Sequence, residues 1–137
     1  EIHIEVQKNI YQEYGDVNLP MIEKLNADID GMHFTIPKTA ADLLNVGKSL
    51  NNCVGSYKDR VMKGSVAIVV VTDDTMKPIA CLELNKNGKN KFAKLVQAKL
   101  FANKRVSENE QINTAVMKWA NKLKIQPHTI DIEAHVS

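Results

Sequence analysis

The order of apolar and polar positions changes period several times along the chain. Val66–Val71 is a continuous β-branched run, the pattern of a buried strand. The stretch "DDTMKP" then reads as a turn. In "IACLELN", Ala80, Leu82 and Leu84 point one way and Ile79, Cys81 and Glu83 the other. Asn87-Gly88 is a hairpin signal, and "FAKLVQAK" is the returning strand, with Ala93, Leu95, Gln97 and Lys99 expected on one face.

Upstream, residues 2–6 alternate as a short strand, and Leu19, Ile22 and Leu25 have helical spacing. "GMHFTIP" reads as a strand stopped by Pro37. Thr39 caps a helix that Gly47 is placed to end. Asn51 or Asn52 caps a second, from about Cys53 to Met62, closed by Gly64. Ser107 and Glu110 form a capping box before a helix with Ile112, Val116, Trp119, Ala120 and Leu123 on one stripe. "HTIDIEAHV" alternates as a last strand. The series predicts an α+β domain, an antiparallel β-meander packed on one side by helices, with residues 1–137 as a single domain.

Composition narrows the class. Hydrophobic residues make up 44% of the 137 and charged residues 25%, as in a soluble globular domain. The Val66–Val71 run is too short to span a membrane. The start, "EIHIEV", has no basic region or apolar core, so no signal peptide is expected. The missing initiator Met leaves room for preceding chain. Two cysteines make no disulfide framework, and a cytoplasmic setting follows.

Net charge is +2, unevenly spread. From Leu84 to Ser107 stand Lys86, Lys89, Lys91, Lys94, Lys99, Lys104 and Arg105, with no acid, so this segment carries +7 and the rest 2 − 7 = −5. Such a segment suits a polyanion-facing surface. It also suits a solvated hairpin that blunts a sheet edge.

Candidate chemistry follows the same elements. Cys53, Tyr57 and Arg60 fall at i, i+4 and i+7 and share a helix face. A thiol in a helix first turn, with an arginine near, favours thiolate. The Tyr/Arg pair can equally bind a phosphate, and Cys53 can be a small packed residue. No histidine (His3, His33, His128, His135) lies in a recognisable motif or at metal-ligand spacing from a cysteine. Glu83 and Gln97 stand in mid-strand on neighbouring strands, with Asn103 and Arg105 in the loop beyond. Together they can do general acid–base work on a phosphodiester or hydrogen-bond a nucleobase. No Walker loop, Gly-rich dinucleotide loop or zinc ligand set is present. No metal or cofactor is expected.

The pattern "LNNCVGSYKDRVMKGSVAIVVV…PIACLEL…KLVQAKLFANKRV" resembles the PcfJ-like domain, found in proteins of conjugative plasmids and phages. Leu50, Cys53, Val54, Gly55, Tyr57, Arg60 and Gly64 match its first motif, and Leu82, Glu83, Val96, Gln97, Asn103 and Arg105 its later ones, over about residues 30–123. Asn51 and Asn52 stand where members often carry a histidine before the cysteine. "AKLFANK" stands where many have a Gly-Lys pair after the V-Q strand. The resemblance implies a mobile-element setting and a single site from Cys53, Tyr57, Arg60, Glu83, Gln97 and Asn103.

Three functions remain open on this reading. One is an accessory protein acting on nucleic acid, RNA before DNA, with metal-independent cleavage or processing as its chemistry. Its catalytic residues would be Glu83, Arg60 and Cys53. Tyr57, Gln97, Asn103, Arg105, Lys86, Lys89 and Lys91 would hold the substrate. The second is a non-catalytic module, an anti-defence inhibitor for instance, that uses the basic hairpin to occupy nucleic acid or a nucleic-acid-binding host protein. The third is a cysteine-dependent transferase or hydrolase, which lacks an identified base.

Overall fold

A six-stranded sheet organises the molecule. The computed structural model describes residues 19, 22–51, 58–86 and 92–133. The strands are β1 (Ala27–Ile29), β2 (Met32–Thr35), β3 (Val66–Thr72), β4 (Pro78–Lys86), β5 (Phe92–Lys99) and β6 (Gln126–Pro127). They lie in chain order, antiparallel except for the parallel β5–β6 pair. The helices are α1 (Ala40–Leu50), α2 (Lys58–Met62) and α3 (Glu110–Leu123). The α+β class and the meander are as the sequence reads.

Two helical layers enclose the sheet. All seven residues of β3 are buried, because its two side-chain sets meet two cores. Ala67, Val69 and Val71 join Phe34, Leu82, Leu84 and Leu95 under Val116, Trp119 and Ala120 of α3. Trp119 stacks on Phe34 with ring centroids 5.3 Å apart and donates its indole N–H to the Leu25 carbonyl at 3.0 Å. Val66, Ile68, Val70 and Cys81 face the other way, toward Leu43, Val46 and Leu50 of α1 and Val61 of α2. The layer expected on one side is therefore present, and a second covers the opposite face.

Several boundaries move for local reasons. The alternation in "ADIDGMHFT" is a hairpin, β1–β2, turning at Asp30-Gly31 with both residues at positive φ. Leu19, Ile22 and Leu25 do not make a helix; only Glu23–Leu25 forms a single 3-10 turn. Thr39 caps α1, its hydroxyl accepting from the Asp42 N–H at 3.1 Å. Gly47 does not end α1, which runs to Leu50 and stops at Asn51 in the left-handed conformation. Asparagine tolerates that conformation, and Gly47 is buried where a small residue fits. α3 is capped by Asn109, whose side chain accepts from the Ile112 N–H, and not by Ser107, which lies in a 3-10 turn. The last strand among the described residues is Gln126–Pro127, and residues 134–136 of the expected strand lie outside them. Residues 128–133 are a turn or irregular, because Thr129 and Asp131 bond within that segment and back to β5. The strand read at residues 2–6 and the Asn87-Gly88 turn lie outside the described residues.

Candidate functional site

β4 and β5 carry the central polar residues. Glu83 and Gln97 stand on neighbouring strands, as the hairpin reading expects, and the structure pairs them directly, with Ile68 on the other side of Glu83. Directly opposed residues share a face, so Glu83 and Gln97 lie on the α1 side of the sheet. Leu84 pairs with Leu95, which leaves Val96 as an extra residue on β5; a second shift leaves Ala93 extra. The bulge at Val96 corrects the expected grouping. Leu95 turns into the α3 core, while Gln97 and Lys99 face the other way.

Glu83 is only 8% exposed, and its Oε1 has no hydrogen-bond partner among the described residues. Asn85 lies two positions on, about 7 Å along the same face, and its Oδ1 is likewise buried and unpartnered. A buried acceptor without a donor costs roughly 1–3 kcal/mol. Two on one face of one strand make this the polar spot within the sheet that most needs a donor from outside the described residues. Two positions before Glu83 on the same face of β4 is Cys81, packed with Leu43, Val46 and Leu50 of α1, its thiol pushed up to about 12, first by burial and then by the Glu83 carboxylate. That thiol is neutral and inert near neutral pH.

Beyond β5 the chain folds back on itself. Lys99 bridges Arg105, and the Leu100 N–H donates to the Lys104 carbonyl at 2.6 Å. Asp131 anchors this return. Its carboxylate accepts from the Ala98 N–H at 3.0 Å and from Lys99 Nζ at 2.9 Å, with Arg105 Nε at 3.8 Å. Arg105, read as a substrate residue, is thus partly committed to Asp131 while its side chain stays 53% exposed. Asn103 is exposed at the tip of the turn, at φ 60°. The turn lies beside α1, which also covers β4, so it flanks the Glu83 face.

Lys86 and Lys104 are exposed, and Lys94 is half-buried on β5. Lys86 Nζ sits 5.4 Å from the centre of the Phe92 ring, within cation–π range. Arg60 is exposed in the middle of the five-residue helix α2 and takes part in polar contacts of its own. Cys53, Tyr57, Lys89 and Lys91 lie outside the described residues. Of the candidates, Glu83 is brought to Gln97, and Lys99 and Asp131 join Arg105. Asn85, Asp131 and Phe101 escaped the sequence reading. For Phe101 the signal was an aromatic set among lysines in "KLFANKR"; Asn85 and Asp131 had none.

Cavities do not compete with this face. A small apolar cavity of about 30 Å³, lined by residues such as Val61, Val66, Ile68 and Phe92, has room for little more than one water-sized molecule. The wider groove at Asp30, Met32, Glu110, Gln111 and Thr114 has a volume of about 400 Å³ and carries two acids, the wrong sign for a polyanion. No described helix is long and apolar enough to cross a membrane.

Comparison with known proteins adds a family. A family model described as "PcfJ-like protein" matches residues 2–114, a longer stretch than the sequence resemblance covers. The Listeria innocua protein named "Uncharacterized protein Lin1253/Lin1744" is 32% identical over 71 residues, which are 50% of this chain and 16% of that protein. The chain therefore spans about a sixth of that relative's length. No solved structure matches.

Proposed function

This chain belongs to the PcfJ-like protein family, and from that premise we propose that it acts on nucleic acid in a mobile-element setting. It holds RNA in preference to DNA along the basic side of the β4–β5 hairpin. The observation that carries this reading is the placement of charge. Lys86, Lys94, Lys104 and Arg105 lie on β4, β5 and the turn after it, in a segment without an acid. Phosphate binding by such residues releases counterions and needs no deep pocket.

Catalysis is the second reading, and Glu83 favours it. An unpartnered carboxylate oxygen opposite an amide is the pair that takes a proton from a ribose 2′-hydroxyl while the substrate is held. In that step the 2′-oxygen bonds to phosphorus, the P–O5′ bond breaks, the 2′ proton passes to Glu83, and the leaving oxygen takes a proton from water. DNA lacks the hydroxyl, so this chemistry selects RNA. Because Oε1 is buried, it requires local opening over β4.

Incubation with labelled structured RNA and single-stranded DNA, in EDTA and at two salt concentrations, separates the readings. A salt-sensitive shift without cleavage supports the binding module. Cleavage abolished by Glu83→Gln, in protein with an unchanged circular dichroism spectrum, supports the catalytic form. Cleavage that survives the substitution removes Glu83 from the mechanism. The absence of both shift and cleavage would count against nucleic acid altogether.

A further inference from the structure

The turn after β5 presents an aromatic ring that packing does not explain. Phe101 is 56% exposed, whereas Phe34 and Trp119 are fully buried and Phe92 is half-buried with Lys86 over its ring. Single exposed apolar residues are common, so the surroundings must decide. Lys99, Lys104 and Arg105 all lie within four positions of Phe101 in the chain. The backbone there is unusual. Ala102 (φ 57°, ψ 36°) and Asn103 (φ 60°) are consecutive left-handed residues, and the Lys104 N–H donates to the Phe101 carbonyl at 3.3 Å. Such a turn ordinarily uses Asn-Gly. An alanine in the left-handed region costs about 1–2 kcal/mol, and the Asp131 network pins both flanks of the turn. The tip is therefore held in a fixed shape with the ring exposed, Lys104 and Arg105 following it closely in the chain.

We propose that Phe101 is a stacking platform for an unpaired base, with Lys104 and Arg105 on the neighbouring phosphates. This rests on the reading that nucleic acid lies along the basic side of the hairpin, and it narrows the ligand to a single strand. A π-face beside positive charge is the recurring design of sequence-tolerant single-strand sites. A duplex offers no free base face to the ring. The turn flanks α1 and the Glu83 face, so a strand seated on it runs past Gln97.

The test compares a short labelled oligouridylate with an abasic strand of equal length and charge, and with an RNA duplex. Wild type binds the oligouridylate most tightly. Phe101→Ala and Phe101→Leu bring its affinity down to that of the abasic strand, a loss of roughly tenfold, with an unchanged salt slope. Phe101→Trp adds a reporter: its emission is quenched when oligouridylate binds, while native Trp119, fully buried, is not. Salt-sensitive binding with no preference for bases, no effect of Phe101→Ala and no quenching would overturn stacking and leave the basic surface standing. No binding to any strand would overturn both.

Discussion

A buried carboxylate oxygen with no donor is expensive, and Glu83 Oε1 has none among the described residues. An apolar residue of similar volume removes the cost. Glu83→Met is expected to raise stability by about 1–3 kcal/mol in urea unfolding while lowering any activity that needs the carboxylate. A destabilised Glu83→Met would show that the carboxylate has a structural partner instead. Cys81 makes a second residue-scale prediction. Its folded pKa is raised from 9.0 to about 12. The thiol's contribution is thus complete below pH 9 and lost as pH rises from there through the folded value. Unfolding between those limits becomes easier by about 1.4 kcal/mol per pH unit. Urea titrations of wild type and Cys81→Ala should converge by that slope above pH 9. Parallel curves would remove the thiol from the alkaline transition.

At the scale of elements, strands were the most legible part. Val66–Thr72 announced itself because a strand between two cores is apolar at every position, and Ala80, Leu82 and Leu84 alternated as they pack. What stayed hidden depended on neighbours. The Val96 bulge leaves no mark in "KLVQAK"; it exists because Glu83 pairs with Gln97 while Leu84 pairs with Leu95. Asp131 looked like one residue of an alternating strand and is instead the acceptor that holds Ala98 and Lys99. That Glu83 and Gln97 stand on neighbouring strands was legible from the hairpin, but their direct pairing and the burial of Glu83 were not, because the first depends on the β5 bulges and the second on α1 crossing β4. The turn at Ala102 is the element whose strain can be measured. Ala102→Gly is expected to stabilise the protein by about 1 kcal/mol, since glycine adopts φ 57° without steric cost. A loss of stability would mean that the left-handed alanine is not strained.

At the scale of the whole molecule, charge and covering layers divide the labour. Both sheet faces are closed by helices, and among the described strands the two-residue β6 alone pairs with β5 beyond β4. The account places a polyanion at the β5 edge and the turn beyond it, where the acid-free segment lies, and not in the groove beside Asp30 and Glu110. A chain of net charge +2 gains this field from distribution and not from total charge. The most direct test is the dependence of single-stranded RNA affinity on salt, by fluorescence anisotropy, for wild type and the Lys86→Gln/Lys104→Gln double variant. The account predicts affinity that falls steeply with salt in wild type, and a log–log slope shallower by about 1.4 in the variant, roughly 0.7 for each lost phosphate contact. Affinity insensitive to salt, or a slope identical in the two proteins, would contradict it.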